Sequence, residues 1–262
     1  MTVLTRSIRV VEAELVTYRR TWRGTVISSF VNPVLFLSAM GLGLGSLVDT
    51  SGADLAISYL AFVASGLMAA TAMQAGASEG AFPIMAGIKW RKEFHATITT
   101  PLGPADIVYG RFLWSIIRLS FILVVFALIS VLFGALEVGP ALLAVPPGVL
   151  TGVAFTTVVT AFTVTQEDET SLSTLFRFGI TPLFLFSGTF FPISQLPDFI
   201  KPIAYATPLF HGVELVRKIA LPGVDHSVVT SLPIWVHICY LVAMTAVGLW
   251  LAPKLLDRRL RP

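Results

Sequence analysis

The chain has 262 residues, 55% of them hydrophobic and only 13% charged, with a net charge of +3. Charge at roughly half the usual quarter share, with a mean hydropathy of +0.82, leaves too little polar surface for a separate soluble catalytic domain. The basic balance does not point to nucleic acid, because the Lys and Arg residues stand beside apolar runs, where they orient helices.

From the N-terminus, Leu4, Ile8, Val11, Leu15, Tyr18 and Trp22 recur at helical spacing, with Arg6, Arg9, Arg20 and Arg23 off that stripe. The pattern predicts an amphipathic interfacial helix over 1–24; a soluble helix packed on a partner is the alternative. Six long apolar runs follow, each near the roughly 20 residues that cross a bilayer. They predict spans over 26–48, 55–78, 106–136, 141–166, 174–195 and 231–253. The first run is too long for a cleaved leader and is expected to stay as a helix. Its Gly41-x-Gly43-x-Gly45 lacks the strand and soluble helix of a nucleotide fingerprint, and reads as close helix packing.

Lys and Arg gather before the first run (Arg6 to Arg23), between the second and third (Lys89, Arg91, Lys92), and after the sixth (Lys254, Arg258, Arg259, Arg261). The intervening junctions carry Asp49, Asp54 and Glu137 instead. The expectation is an all-α, multi-pass protein of the plasma (inner) membrane, with both termini cytoplasmic.

Segment 87–103 is short, charged and aromatic, closed by Pro101 and Gly103. It either presents a rigid helix to a soluble partner or merely anchors the topology. Past the fifth run, Pro192, Pro197, Pro202 and Pro208 forbid one long helix although apolar residues persist to Leu221. Two short helices, about 196–206 and 208–220, are expected to form a re-entrant extracytoplasmic hairpin.

Leu185-Phe186-Ser187-Gly188-Thr189-Phe190-Phe191-Pro192, Leu196-Pro197, and then Pro208-x-x-His211-x-x-Glu214-x-x-Arg217 resemble the C-terminal signature of ABC-2 type exporter permeases. The likeness extends to the order of segments along the whole chain, and within the family it looks closest to nodulation-factor and daunorubicin-type exporter permeases. It implies a single transmembrane domain that pairs with a second permease subunit, as a homodimer or heterodimer. It also implies two copies of a separate ATP-binding subunit, which would carry ATP and Mg. The resemblance places coupling to that subunit on Lys89, Trp90, Arg91, Lys92, Glu93 and Phe94, with Glu167, Asp168 and Glu169 as a second cytoplasmic contact. The chain has no G-x-x-x-x-G-K-[ST] of its own, and no catalytic group, cofactor or metal is assigned to it. A cargo that is amphipathic, lipid-linked or drug-like is what the resemblance suggests.

Charges near the spans are the remaining candidates. Glu79 ends the second run and reads equally as a functional carboxylate or an interfacial one. Arg118, seven residues past Arg111, is expected to snorkel to headgroups; the consequential alternative is a pair with Glu79. His211, Glu214 and Arg217 are spaced to share one outer helix side as a local ion pair, and two ligands do not complete a zinc site. His237 and Cys239 read as buried packing residues. The competing functions are an ion-coupled secondary transporter, which would favour midplane acids and internal repeats, and an intramembrane enzyme, which would need a fuller catalytic cluster.

Overall fold

A computed structural model describes residues 3–44, 57–223, 230 and 232–261; among these every regular element is helical. The first is α1, Val3–Leu37, continued by a π-helical turn Ser38–Leu44. Next come α2, Tyr59–Met85, with a π turn Ala86–Trp90, then the short α3, Glu93–Thr97, and α4, Pro104–Leu132. Helices α5 (Val138–Leu143) and α6 (Val145–Thr165) follow nearly end to end. After α7, Glu169–Leu175, a π turn leads into α8, Thr181–Phe186. The proline-rich segment holds α9, Lys201–Ala206, and α10, Pro208–Ala220, and α11, Ile234–Leu260, is the last described helix.

Among the described residues, four helical stretches are long and apolar enough to cross a membrane: Tyr59–Trp90, Pro104–Leu132, Val138–Thr165 and Ile234–Leu260. The outer part of the first expected span, with Gly45, Asp49 and Asp54, lies outside the described residues. The fifth expected span is shorter than its apolar run. Its helix stops at Phe186, because Gly188 turns the chain at φ 83° and Pro192 follows.

Helix α6 is the hub, packed on α2, α4, α10 and α11. It runs parallel to α2, because Gly76 lies on Gly152 and Gly80 on Thr156. It also runs parallel to α11, because Thr157 meets Gly248 and Val164 meets Arg259. A Cβ on Gly76 would overlap the Gly152 carbonyl, so only glycine permits this approach. Thr156 uses it to donate a hydrogen bond to the Gly76 carbonyl across 3.0 Å. Helix α4 opposes α2: Ile84 clusters with Ile107 and Val108 at one end, and Phe62 and Leu67 share the larger core with Leu123 and Phe126.

The amphipathic segment and the first span, expected as two helices, form one unbroken α1. It runs alongside α4, with Tyr18 edge-on to Trp114 at 5.4 Å. The face that meets α4 carries Ser7, Val10 and Glu14. Ile8, Leu15 and Trp22 of the apolar stripe point outward, each more than 40% exposed. At Gly43, of the expected packing repeat, an added Cβ meets nothing within 4 Å. Both described ends of the chain reach the same end of the bundle, where Arg6 faces Asp106 and Leu260 clusters with Phe94.

Candidate functional site

At that shared end, the turn after α2 and the turn after α6 are joined. The Lys89 ammonium donates to the Glu167 carbonyl at 3.1 Å and lies 3.6 Å from the Asp168 carboxylate. The Trp90 indole N–H donates to Glu169 Oε1 at 2.5 Å, and Arg91 pairs with Glu93 at 2.9 Å. The structure therefore brings together the two segments that sequence reasoning had singled out separately. Lys89 through Lys92 are exposed, as are Glu167 to Glu169. Exposed pairs of this kind contribute at most about 1 kcal/mol, so stability does not account for their arrangement.

Phe94 differs from its neighbours. It is 4% exposed, its ring covers Gly87, and it anchors α3 to Ile84, Ile88 and Ile107. It holds the exposed turn against the bundle and offers no surface of its own. Lys92 adopts φ 52°, unusual for a residue with a side chain, and so swings the chain between the π turn and α3.

A second constellation lies deeper, between α1, α2 and α4. Glu79 is 7% exposed. Its Oε1 receives Arg118, and Arg111 approaches its Oε2 at 3.8 Å; Arg111 in turn is paired with Glu14. Arg118 thus pairs with Glu79 and does not simply snorkel to the surface. Two carboxylates and two guanidiniums balance one another, which is the condition for burying charge at such depth. Glu14 and Arg111 were not singled out as site residues. The clue was present: Arg111 and Arg118, seven apart, share a helix face, and Glu14 lies off the apolar stripe.

Two cavities flank this pair and both touch Glu79 and Arg118. One of about 260 Å³ is lined by Thr25, Ser29, Asn32, Gln74 and Ser78. The other, of about 420 Å³, opens toward Tyr18, Trp90, Arg91 and Trp114, near the joined turns. Hydroxyl and amide groups gathered between apolar helices suit a ligand with a polar head.

The signature residues of α10 do not form the expected surface ion pair. His211, Glu214 and Arg217 are all buried, and each has its own partner. His211 Nδ1 lies 2.9 Å from His237 Nδ1, a contact that sequence reasoning missed. The Glu214 carboxylate accepts the Thr230 N–H and hydroxyl at 2.7 and 2.9 Å. Arg217 reaches backbone carbonyls on two other elements. His237 is buried as expected, whereas Cys239 is exposed. Pro208 starts α10, with the Thr207 hydroxyl accepting the Phe210 N–H at 3.3 Å. Pro192 and Pro197 bracket a 3-10 turn, Ile193–Gln195, before α9. Among the described residues, no group of three or more His, Cys, Asp or Glu is arranged to hold a metal.

Comparison with known proteins gives the family. Residues 7–221 match the family model described as ABC-2 type transporter. The chain is similar to Nodulation protein J of Rhizobium meliloti (strain 1021), 28% identical over 94% of this chain and 90% of the relative. It is similar also to Nodulation protein J of Sinorhizobium fredii (strain NBRC 101917 / NGR234), 30% identical over 90% and 87%. For the protein of that name in Rhizobium leguminosarum bv. trifolii the figures are 28%, 97% and 93%. With a family match over most of its length and an apolar helical bundle to carry it, the chain belongs to the ABC-2 type transporters, membrane transport subunits that normally work with an ATP-binding subunit.

Proposed function

We propose that this chain is the permease half of an ATP-driven exporter, moving an amphipathic, lipid-linked or drug-like molecule outward. It crosses the membrane six times, with both termini in the cytoplasm and the α9–α10 hairpin dipping back into the outer leaflet. Two copies pair, and each engages one copy of a separate subunit that binds ATP and Mg. The observation that carries this reading is the exposed Lys89–Lys92 turn: it stands directly on the end of α2 and is tied to the Glu167–Glu169 turn. A rigid helix ending in a basic, aromatic turn is suited to carry displacement from a soluble partner into the bundle. The cavities on either side of Glu79 are the proposed place for the polar head of the cargo, beside outward apolar residues of α1 such as Phe30 and Leu35.

Ion coupling is the weaker alternative, because Glu79 is already engaged by two arginines and is not free to shuttle a proton. The test replaces Lys89–Lys92 with Gly and Ser in the complex with its ATP-binding subunit. Retained insertion and basal ATP hydrolysis, with loss of the hydrolysis stimulated by the permease, is the expected outcome. Unchanged stimulation would remove the coupling role, and transport by the permease alone would remove the ATP-driven reading altogether.

A further inference from the structure

Arg217, on α10, is 1% exposed, yet among the described residues it forms no ion pair. A guanidinium buried at such depth is costly unless its donors are met. Here they are met by main chain. Nη2 donates to the Phe62 carbonyl on α2 at 3.3 Å and to the Gly188 carbonyl at 3.0 Å, while Nε donates to the Ser65 hydroxyl at 3.3 Å. The guanidinium also lies over the Phe62 ring, 3.9 Å from its centroid, a favourable cation–π placement. One side chain therefore joins three elements: the outer end of α2, the turn at Ser187–Pro192, and α10. The turn is also held by the Ser187 hydroxyl, 3.0 Å from that of Thr207 at the start of α10, by the Phe190 ring edge-on to Phe184 and by the Tyr59 hydroxyl on the Phe190 carbonyl at 3.4 Å. Arg217 is the charged group that reaches both this turn and α2, beside a Thr189 Oγ1 that is buried without a hydrogen-bond partner.

The same α2 ends, at its other extremity, in the Lys89–Lys92 turn. It is packed along its length on α6, so displacement at one end is carried to the other as a rod. We infer that Arg217 is a positioning residue that delivers the movement of α2 to the outer turn and α10, so that the outer face responds to events at the opposite end of the bundle. A lysine there has one short-range charge centre and no planar fork, and cannot hold both carbonyls with the same geometry.

This inference rests on the ATP-driven reading, and the experiment separates the two. The full chain, in a Cys239→Ser background and in complex with its ATP-binding subunit, is spin-labelled at His95→Cys or at Phe199→Cys. Position 95 is exposed on α3, outside the Lys89–Lys92 turn, and position 199 is 77% exposed and lies just past the outer turn. Adding MgATP is expected to change the spectrum at both positions in the parent. In Arg217→Gln the response at 95 and the ATP hydrolysis are expected to persist, while the response at 199 falls about tenfold, within the range of coupling changes along such paths. A role in stability alone would weaken both labels together. Ser65→Ala should give an intermediate loss. Gly66→Ala should reproduce the full loss, because its Cβ would stand 2.6 Å from the Thr189 carbonyl oxygen and 3.0 Å from Arg217 Nη2 and so part the turn from the guanidinium. These two variants decide the matter if Arg217→Gln does not assemble. No ATP response at position 95 in the parent would defeat the ATP-driven reading. A parental response at 95, with the 199 response unchanged in these variants, would overturn the role of Arg217.

Discussion

Glu79 shares its carboxylate between Arg118 and Arg111, and Arg111 is shared in turn with Glu14. Removing the charge while keeping the shape, Glu79→Gln, leaves the buried Arg111 and the half-buried Arg118 with one anion. The expected loss is about 3 kcal/mol of stability, the scale for breaking a buried pair by deleting one partner. Thermal unfolding in detergent measures it, and the double variant Glu79→Gln/Arg118→Met should recover much of the loss. Additive losses would show that the two residues do not interact. Spacing made this pair legible as one option but did not decide it, since a long arginine beside a headgroup region commonly reaches outward. What decided it is the position of α1, whose Thr25 and Glu14 close the other side of the site, and no local pattern in α4 carries that information. The same holds for His211, Glu214 and Arg217. Their three-residue spacing suggested mutual pairing, but burial between α2, α11 and the Ser187–Pro192 turn gave each a partner distant in sequence.

At the scale of elements, hydropathy located helices well and their contacts poorly. The breaks at Gly103, Pro192 and Pro208 were readable because proline and glycine act on the local backbone. The merging of the first two expected helices into α1 was not, because Gly24 permits a helix break without requiring one. Packing glycines were legible only in part for a related reason. Gly43 sits in a conspicuous repeat whose Gly45 lies outside the described residues, and an added Cβ there meets nothing within 4 Å, whereas Gly76, inconspicuous between Ala75 and Ala77, lies against the backbone of α6. Gly76→Val should therefore destabilise the bundle by about 3 kcal/mol or prevent its assembly, as overpacking does at a close contact. Gly43→Ala should leave the melting temperature unchanged. Comparing the two by fluorescence-detected thermal unfolding checks the assignment, and equal effects would contradict it.

For the molecule as a whole, alternation of basic and acidic junctions was the most informative property, and it depends on composition more than on any contact. The structure places Arg6 and Leu260 at one end of the bundle. Reporter tags fused before Met1 and after Pro262 should consequently respond alike to a membrane-impermeant label in sealed inside-out vesicles. Opposite responses would break the six-crossing proposal. The sequence did not disclose how the Lys89 and Glu167 turns meet, since nearly 80 residues separate them and only the parallel course of α2 and α6 brings their ends together.

That parallel course has an electrical consequence. Helices α2, α6 and α11 all present their C-terminal poles at one end, each equivalent to about half a negative elementary charge, which the two N-terminal poles of α1 and α4 at that end offset only in part. Arg259, from the last turn of α11, donates to the Val164 carbonyl on α6 at 2.6 Å and so neutralises a pole that is not its own. Basic residues there do more than choose a side of the bilayer: they cancel a field that would repel any acidic surface brought against it. Arg259→Ala should thus weaken association with an acidic partner more strongly at low ionic strength than at high, and a salt-independent loss would argue against this account.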